Sequence, residues 1–268
     1  TSSPVRALNK VSFNVKKGRT LGIVGESGSG KSSLARAVVG LITAQSGTLK
    51  LHNQQLDKKI ENRSQNELSS IQMVFQNPTA SLNPRLRIRE TILRSLRRFV
   101  GLGKAESFSR AEDLMMSVGL DRSYLDRLPS ELSGGEQQRA AIAGAFAANP
   151  EIVIADEAVS ALDVSVQAQV LNLMTKLQQR LKLTYLFVSH DLTVIRHICD
   201  HVAVMYLGKI VEMGPTKRLF ESPKHPYTEA LLSAVPEPRA GGTLTVLEGE
   251  VPSPANPPPG CHFHLRCP

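Results

Sequence analysis

Gly25-Glu26-Ser27-Gly28-Ser29-Gly30-Lys31-Ser32 fits the pattern G-x-x-x-x-G-K-[ST], and its flanks decide how it is read. Leu21 to Val24 before it is an apolar run of strand character, and Ser33 to Leu41 after it has helical spacing. A strand, a glycine-rich turn and a helix start in that order turn backbone N–H groups inward around an anion, and the positive end of the helix adds to the attraction. Lys31 is placed to reach the β- and γ-phosphates of a nucleoside triphosphate and the Ser32 hydroxyl to bind Mg²⁺. Gly25, Ser27, Gly28, Ser29, Gly30 and Ser33 supply the rest of the cradle. Taken alone, the same letters also describe a Gly/Ser-rich turn before a helix.

The chain has 268 residues, 41% hydrophobic and 21% charged, an ordinary globular composition with room for one large domain and a small appendage. A formal net charge of +8 suits an anionic membrane surface or a basic nucleotide-binding face. Nucleic acid is not expected as a partner. Arg85, Arg87, Arg89, Arg94, Arg97 and Arg98 cluster without interleaved aromatic rings and the chain has no Trp, so bases have no platform on which to stack. No apolar run approaches the roughly 18 residues of a membrane span. No signal peptide precedes the first strand, and Cys199, Cys261 and Cys267 make no disulfide framework, so a reducing, cytosolic compartment is expected.

Periodicity sets out the remaining elements. Val11 to Val15 alternates as a strand does, and Thr20 to Val24, Gly47 to Leu51 and Ile71 to Phe75 read as further strands, with a polar, exposed excursion from His52 to Asn66. From Arg87 to about Gly119 the pattern turns helical through Ile88, Ile92 and Leu96. A helix at about Gly134 to Ala148, a strand at Ile152 to Ala155 and a helix at Val164 to Leu181 follow, the last with Val166, Val170, Leu173, Leu177 and Leu181 as its expected apolar face. Then come a strand at Thr184 to Val188, a short helix at Leu192 to Cys199 and a hairpin from Val202 to Glu212 turning at Leu207-Gly208. This alternation predicts an α/β fold with a mainly parallel sheet and a helical insertion at about 80–130. A main domain over 1–235 gives way to a proline-rich, extended tail over 236–268.

Leu132-Ser133-Gly134-Gly135-Glu136-Gln137-Gln138-Arg139 narrows the choice among nucleotide-binding proteins. Ser133 and the glycines at a helix start form a second anion-binding end. Ile152-Val153-Ile154-Ala155-Asp156-Glu157 is an apolar strand closing on two carboxylates, which in isolation is an ordinary acidic turn. Together with the phosphate loop, these segments resemble the ATP-binding-cassette (ABC) ATPases over about 5–235. The resemblance implies a P-loop NTPase of the ABC type, with a mainly parallel sheet core, a β subdomain and a helical subdomain, binding ATP and Mg²⁺. It also implies that Asp156 holds Mg²⁺ through water and that Glu157 polarises the attacking water. Gln76 looks like the Q-loop glutamine, which touches Mg²⁺ and that water. Ser160-Ala161-Leu162-Asp163 resembles the D-loop, whose Asp163 lies at the nucleotide-bearing interface of a dimer. His190, in Val188-Ser189-His190-Asp191, stands where the family has its switch histidine facing the γ-phosphate, although a lone histidine at a strand end is usually structural. In the family two cassettes clamp two ATP molecules head to tail. Ser133, Gly134, Gly135 and Glu136 of one chain would then face the phosphate loop of the other.

Three further stretches resemble the ATPase subunits of oligopeptide, dipeptide and nickel importers: Gln76-Asn77-Pro78 continuing to Ser81-Leu82-Asn83-Pro84-Arg85, Asp163-Val164-Ser165-Val166-Gln167-Ala168-Gln169, and His225-Pro226-Tyr227-Thr228-Glu229-Ala230-Leu231-Leu232. The implied function is ATP hydrolysis powering a membrane importer, most directly for peptides, from the cytoplasmic face of the membrane. The implied partners are permease subunits, a second ABC domain and, indirectly, a solute-binding protein. In the tail Gly260-Cys261-His262-Phe263-His264-Leu265-Arg266-Cys267-Pro268, the resemblance marks Cys261 and Cys267 as candidate ligands of a 4Fe–4S cluster. A cubane takes four thiolates, so others would have to be supplied from elsewhere. His262 and His264 offer zinc as an alternative, and two reduced thiols in a proline-rich tail are a third reading. The tail is expected to supply no phosphate contact, so Cys261→Ser is expected to leave ATP hydrolysis largely retained.

Three features depart from the family pattern. Ala158 stands where proline usually follows the Asp-Glu pair, Gly144 where arginine is common, and no aromatic ring precedes Val11. The competing function is a soluble ABC switch, not coupled to a permease, acting on DNA or ribosomes; no long coiled coil separates Lys31 from Ser133, as it would in chromosome-maintenance relatives. A hydrolysis-dead partner is disfavoured by the presence of Lys31, Gln76, Asp156, Glu157 and His190 together.

Overall fold

Every residue of Thr20–Val24 (β1) is buried, as an apolar run in a sheet covered on both faces should be. In the computed structural model, which describes residues 6–233 and 249–268, the chain passes from β1 through the glycine-rich loop into α1 (Lys31–Val39). There follow β2 (Leu49–Leu51), β3 (Gln54–Leu56), α2 (Gln65–Ser70), β4 (Ile71–Val74), α3 (Ile88–Ser95), α4 (Lys104–Ser117), α5 (Gly134–Phe146) and β5 (Ile152–Asp156). Then come α6 (Val164–Leu181), β6 (Thr184–Val188), α7 (Leu192–Ile198), β7 (His201–Tyr206), β8 (Lys209–Pro215), α8 (Thr216–Glu221) and α9 (Pro226–Ser233).

These elements sort into two compact units. The first takes in 19–36 and the chain from 187 onward, and so holds the phosphate loop. In it β1 runs parallel to β7, from Leu21 opposite His201 to Val24 opposite Val204, and β7 pairs antiparallel with β8. Leu207 and Gly208 make the hairpin turn with φ of 41° and 75°, the left-handed pair that matches strand twist. Asp200, leading into β7, fixes the start of β1 by accepting from the Thr20 N–H at 2.8 Å and from Arg19 Nη1 at 2.7 Å.

The second unit takes in 37–186. There β4 and β5 are parallel, Ile71 opposite Ile152, and β2 with β3 forms a small antiparallel hairpin, Leu49 opposite Leu56. Helices α3, α4 and α5 pack on one another and bury Ile88, Ile92, Leu93, Ala111, Met115 and Ile142. The alanines of α5 let its neighbours approach closely. Of these, α3 and α4 fall within about 80–130, and α5 lies beyond it.

The structure departs from the sequence reading in four places. Residues 11–15 form no strand; their burial alternates, but alternation reports which side is covered, whereas a strand also needs a partner for its ladder. The polar stretch His52 to Asn66 is ordered: β3 hides there because only Leu56 of its three residues is apolar, and α2 begins with a Ser64–Glu67 capping box. On α6 the buried side chains are Val170, Leu171, Met174 and Leu177, so Val166, Leu173 and Leu181 drop out of the expected face. A strict three-to-four spacing drawn across 18 residues drifts from the true stripe, and Leu171 and Met174 sit one position away from the residues chosen. The tail is the fourth place. Its stretch 236–248 lies outside the described residues, but 249–268, free of regular structure apart from a 3₁₀ turn at His264–Arg266, is anchored by Phe263, which is 1% exposed.

Candidate nucleotide site

The phosphate loop takes a shape only glycine allows at two of its positions. Gly25 has φ 149° and a Cβ there would stand 2.1 Å from the Met205 carbonyl oxygen; Gly30 has φ 103° and a Cβ would stand 2.4 Å from the Ala7 oxygen. Between them Ser27 and Gly28 are exposed while Ser29 is buried, its N–H donating to the Glu26 carbonyl at 3.2 Å. Lys31 opens α1 with its side chain folded into the loop. Its ammonium donates to the Gly25 and Glu26 carbonyls at 2.7 and 2.9 Å, which sets a buried cation at the mouth of the loop. Ser32 and Ser33 follow on the first turn of α1, both half-buried. In the same unit His190 is exposed at the end of β6, just before Asp191 caps α7 by accepting from Thr193 N at 2.8 Å.

The second unit brings other expected residues together. β5 ends on Asp156, 4% exposed, and the next residue, Glu157, turns the chain with a left-handed φ of 49°. For a side chain larger than glycine that conformation is strained. Gln76 Nε2 donates to Glu157 Oε2 at 3.1 Å and to Ser160 Oγ at 3.2 Å, so the residues named from the Q-loop, the strand end and the D-loop are in contact. Asp163 caps α6, accepting from Val166 N at 2.9 Å and Ser165 Oγ at 2.7 Å, and these bonds, the Val166 amide first, hold its carboxyl below the usual range.

Ser133 caps α5 in a reciprocal box with Glu136, whose Oε2 accepts from the Ser133 N–H and Oγ–H, both at 2.8 Å. The other carboxylate oxygen accepts from Tyr124 Oη at 2.6 Å. These bonds, that from Tyr124 largest, lower the Glu136 carboxyl to about 2. Gly134 is open to solvent, whereas a Cβ on Gly135 would stand 2.5 Å from Val166 Cγ1. Tyr124 went unnoticed in the sequence because the capping contact joins separate segments and leaves no local pattern. Part of the arginine cluster is spent structurally, Arg87 and Arg89 both bonding Asp126.

Loop, lysine and helix start fit a polyphosphate, and each unit by itself carries side-chain oxygens of the hard kind that Mg²⁺ takes, Ser32 in the first and Gln76 and Asp156 in the second. The described tail by itself offers two thiolates where a cubane takes four. Cys261 and Cys267 are exposed thiols, and among the described residues no group of three or more metal-ligating side chains occurs. The zinc alternative fares no better, since His262 is buried against the Leu207 carbonyl at 3.1 Å and His264 Nδ1 faces the Cys261 carbonyl at 2.7 Å.

Residues 8–160 match the family described as ABC transporter, and residues 211–268 match the oligopeptide/dipeptide transporter C-terminal region. The chain belongs to the ABC transporter family. It is 50% identical over 98% of its length to the oligopeptide transport ATP-binding protein AppF of Bacillus subtilis, covering 82% of that protein. It is 49% identical over 98% of its length to the dipeptide transport ATP-binding protein DppF of Escherichia coli, covering 79% of it. Among solved structures, the ATP-binding cassette MJ0796 in a dimeric post-hydrolysis state with ADP and Pi matches 79% of this chain and 91% of its own at a TM-score of 0.68 and 29% identity. As an ABC ATPase the chain has the α/β P-loop fold of the family, binds ATP and hydrolyses it, and family members dimerise and work with transmembrane permease subunits. No helix among the described residues is long and apolar enough to cross a membrane.

Proposed function

We propose that this ABC ATPase powers the import of peptides, sitting on the cytoplasmic side of a membrane against separate permease subunits that a solute-binding protein feeds. The observation that carries this is the match to peptide-transport ATP-binding proteins over 98% of the chain, together with the C-terminal region of that group at 211–268. Residues 1–235 are taken as the nucleotide-binding part and 236–268 as its extension.

The residues divide the chemistry among them. Backbone N–H groups from Ser27 to Ser33 and the Lys31 ammonium, itself positioned by the Gly25 and Glu26 carbonyls, hold the β- and γ-phosphates. Ser32, Gln76 and Asp156 would hold Mg²⁺, which would offset the negative charge of the phosphates. Glu157, steered by Gln76, orients and polarises the attacking water, and His190 meets the γ-phosphate. Ser133, Gly134, Gly135 and Glu136, with Asp163, complete the phosphate shell of a second cassette, which would make the working form a head-to-tail dimer. The structure lends no support to a 4Fe–4S cluster, so no step is assigned to Cys261 or Cys267.

The test compares Lys31→Ala with Glu157→Gln in the presence of permease subunits. Lys31→Ala should lose ATP affinity, whereas Glu157→Gln should keep it, nearly stop turnover, and roughly double in mass by light scattering with MgATP. A Glu157→Gln protein hydrolysing near the wild-type rate would refute its role, and peptide uptake unaffected by Lys31→Ala would refute the coupling.

A further inference from the structure

Residues 262–266 contact the phosphate loop and the turn beside it. Arg266, its side chain 6% exposed, donates from Nη1 and Nη2 to the two carboxylate oxygens of Glu26 at 2.8 and 3.2 Å. Two parallel charge-assisted bonds of this kind fix orientation as well as position. The backbone of Glu26 is held independently, its N–H donating to Tyr227 Oη at 2.8 Å. Tyr206, Tyr227 and Phe263, each no more than 1% exposed, form one ring cluster beneath, with centroids 4.7, 5.3 and 5.4 Å apart. A second line of contact runs beside the first: His262 Nδ1 meets the Leu207 carbonyl at 3.1 Å, and the N–H of the adjacent Gly208 donates to the Ser29 carbonyl at 2.9 Å. The tail therefore grips the loop directly at Glu26 and, through the β7–β8 turn, at Ser29.

Glu26 stands at a position that the phosphate-loop pattern leaves open to any residue, yet its carbonyl is one of the two to which Lys31 donates. Whatever orients the Glu26 peptide also orients the ammonium that meets the phosphates. We infer that the C-terminal segment is a brace for the nucleotide loop, with Arg266 and Tyr227 as positioning residues that hold Glu26, and through it Lys31, in the arrangement that receives ATP. This rests on the ATP-binding reading above. A loop held in advance loses little freedom when the ligand arrives; without the brace only a fraction of molecules would present the competent loop, and affinity would fall by that fraction.

The experiment uses the full chain and measures MgATP affinity, KM and kcat for wild type, Arg266→Met, Arg266→Lys, Glu26→Gln and the Arg266→Met/Glu26→Gln double variant, with apo melting curves alongside. Arg266→Met and Glu26→Gln should each weaken ATP binding about tenfold and raise KM with kcat little changed. The double variant should be no weaker than either single one, and Arg266→Lys should restore part of the loss. Affinities within about twofold of wild type in both single variants, with only the melting point lowered, would overturn the brace and leave a tail that is merely anchored. Should Arg266→Met fail to fold, Glu26→Gln decides from the loop side, where the side chain is 28% exposed and unfolding is not expected. Wild-type protein that binds no ATP would instead overturn the underlying nucleotide reading.

Discussion

Two glycines of α5 should respond in opposite directions to the same substitution. Gly144 lies in the helix interior, is buried, and would carry a Cβ whose nearest contact is Thr91 Cγ2 at 3.4 Å, an ordinary van der Waals distance. Replacing it by Ala removes the backbone-entropy penalty of glycine, about 1 kcal/mol in a helix interior. The new methyl adds up to about 0.8 kcal/mol by burial. Gly144→Ala is therefore expected to stabilise by roughly 1.5 kcal/mol, about 3–6 °C in Tm for a protein of this size. Gly135 sits in the first turn, where propensity matters less, and its Cβ would stand 2.5 Å from Val166 Cγ1. Gly135→Ala must push α5 and α6 apart or rotate a β-branched side chain with few alternatives, at a cost of about 1–3 kcal/mol. Thermal and urea unfolding of both variants, with Gly135→Ala/Val166→Ala as the relief case, measures the contrast. ATP affinity should be unchanged in Gly144→Ala, which lies far along the helix from Ser133. A Gly144→Ala protein less stable than wild type would refute the packing argument, as would a Gly135→Ala protein that loses nothing.

Gly25→Ala should abolish ATP binding in a chain that still folds, because both φ and the Met205 carbonyl 2.1 Å from the new Cβ force the loop to move; equilibrium binding with circular dichroism as the folding control checks it. Tyr124→Phe removes the largest influence on Glu136, so that carboxyl should titrate well above its value of about 2, toward the ordinary 4.5. The depressed value contributes stability that is present above 4.5 and lost as pH falls toward 2, so the acid-side loss should be shallower in the variant; carboxyl NMR and urea melts at stepped pH measure it, and superimposable titrations would contradict it. His225 accepts from the Tyr227 N–H at Nδ1, 3.1 Å away, and is shifted below 6.5, burial outweighing the charge of Glu212. Its contribution is present above 6.5 and lost as pH falls through the lowered value. His225→Asn keeps an acceptor without the titration, so the wild-type minus variant stability difference should change only below 6.5.

The parts legible in the sequence were those written locally. A glycine-rich turn between an apolar strand and a helix, or an apolar strand closing on two carboxylates, carries its meaning within about ten residues, and β1, β5, β6, α6 and the Leu207-Gly208 turn fall where the letters place them. Proline at a first helical position is a local signal of the same kind: α9 begins at Pro226, with His225 Nδ1 accepting from the Tyr227 N–H. What the sequence could not reveal were contacts between distant segments. Arg266 on Glu26 spans 240 positions, Tyr206 packs on Phe263, and Tyr124 reaches Glu136 across a turn; none leaves a periodicity behind. The contact of the tail with the nucleotide loop, through the Arg266 side chain, is accordingly invisible in the letters.

The departure at Ala158 gains a physical sense from the conformation of the residue before it. A proline at 158 would bias Glu157 toward extended backbone and away from the helical region, limiting the turn by sterics alone. With Ala158, buried and unconstrained at φ, that restriction is absent, yet Glu157 is left-handed, a choice that costs on the order of 1 kcal/mol for a side chain of this kind. Hydrogen bonds supply what the ring does not. The Ser160 N–H and Oγ–H both donate to the Glu157 carbonyl, at 3.1 and 3.0 Å, and Gln76 bridges the Glu157 carboxylate to Ser160. Two such bonds at about 1 kcal/mol each are enough to offset the strained φ. The turn that presents the carboxylate is thus held by side chains of the Q-loop and D-loop segments rather than by backbone restriction, and a displacement of Gln76 would be felt at Glu157 at once.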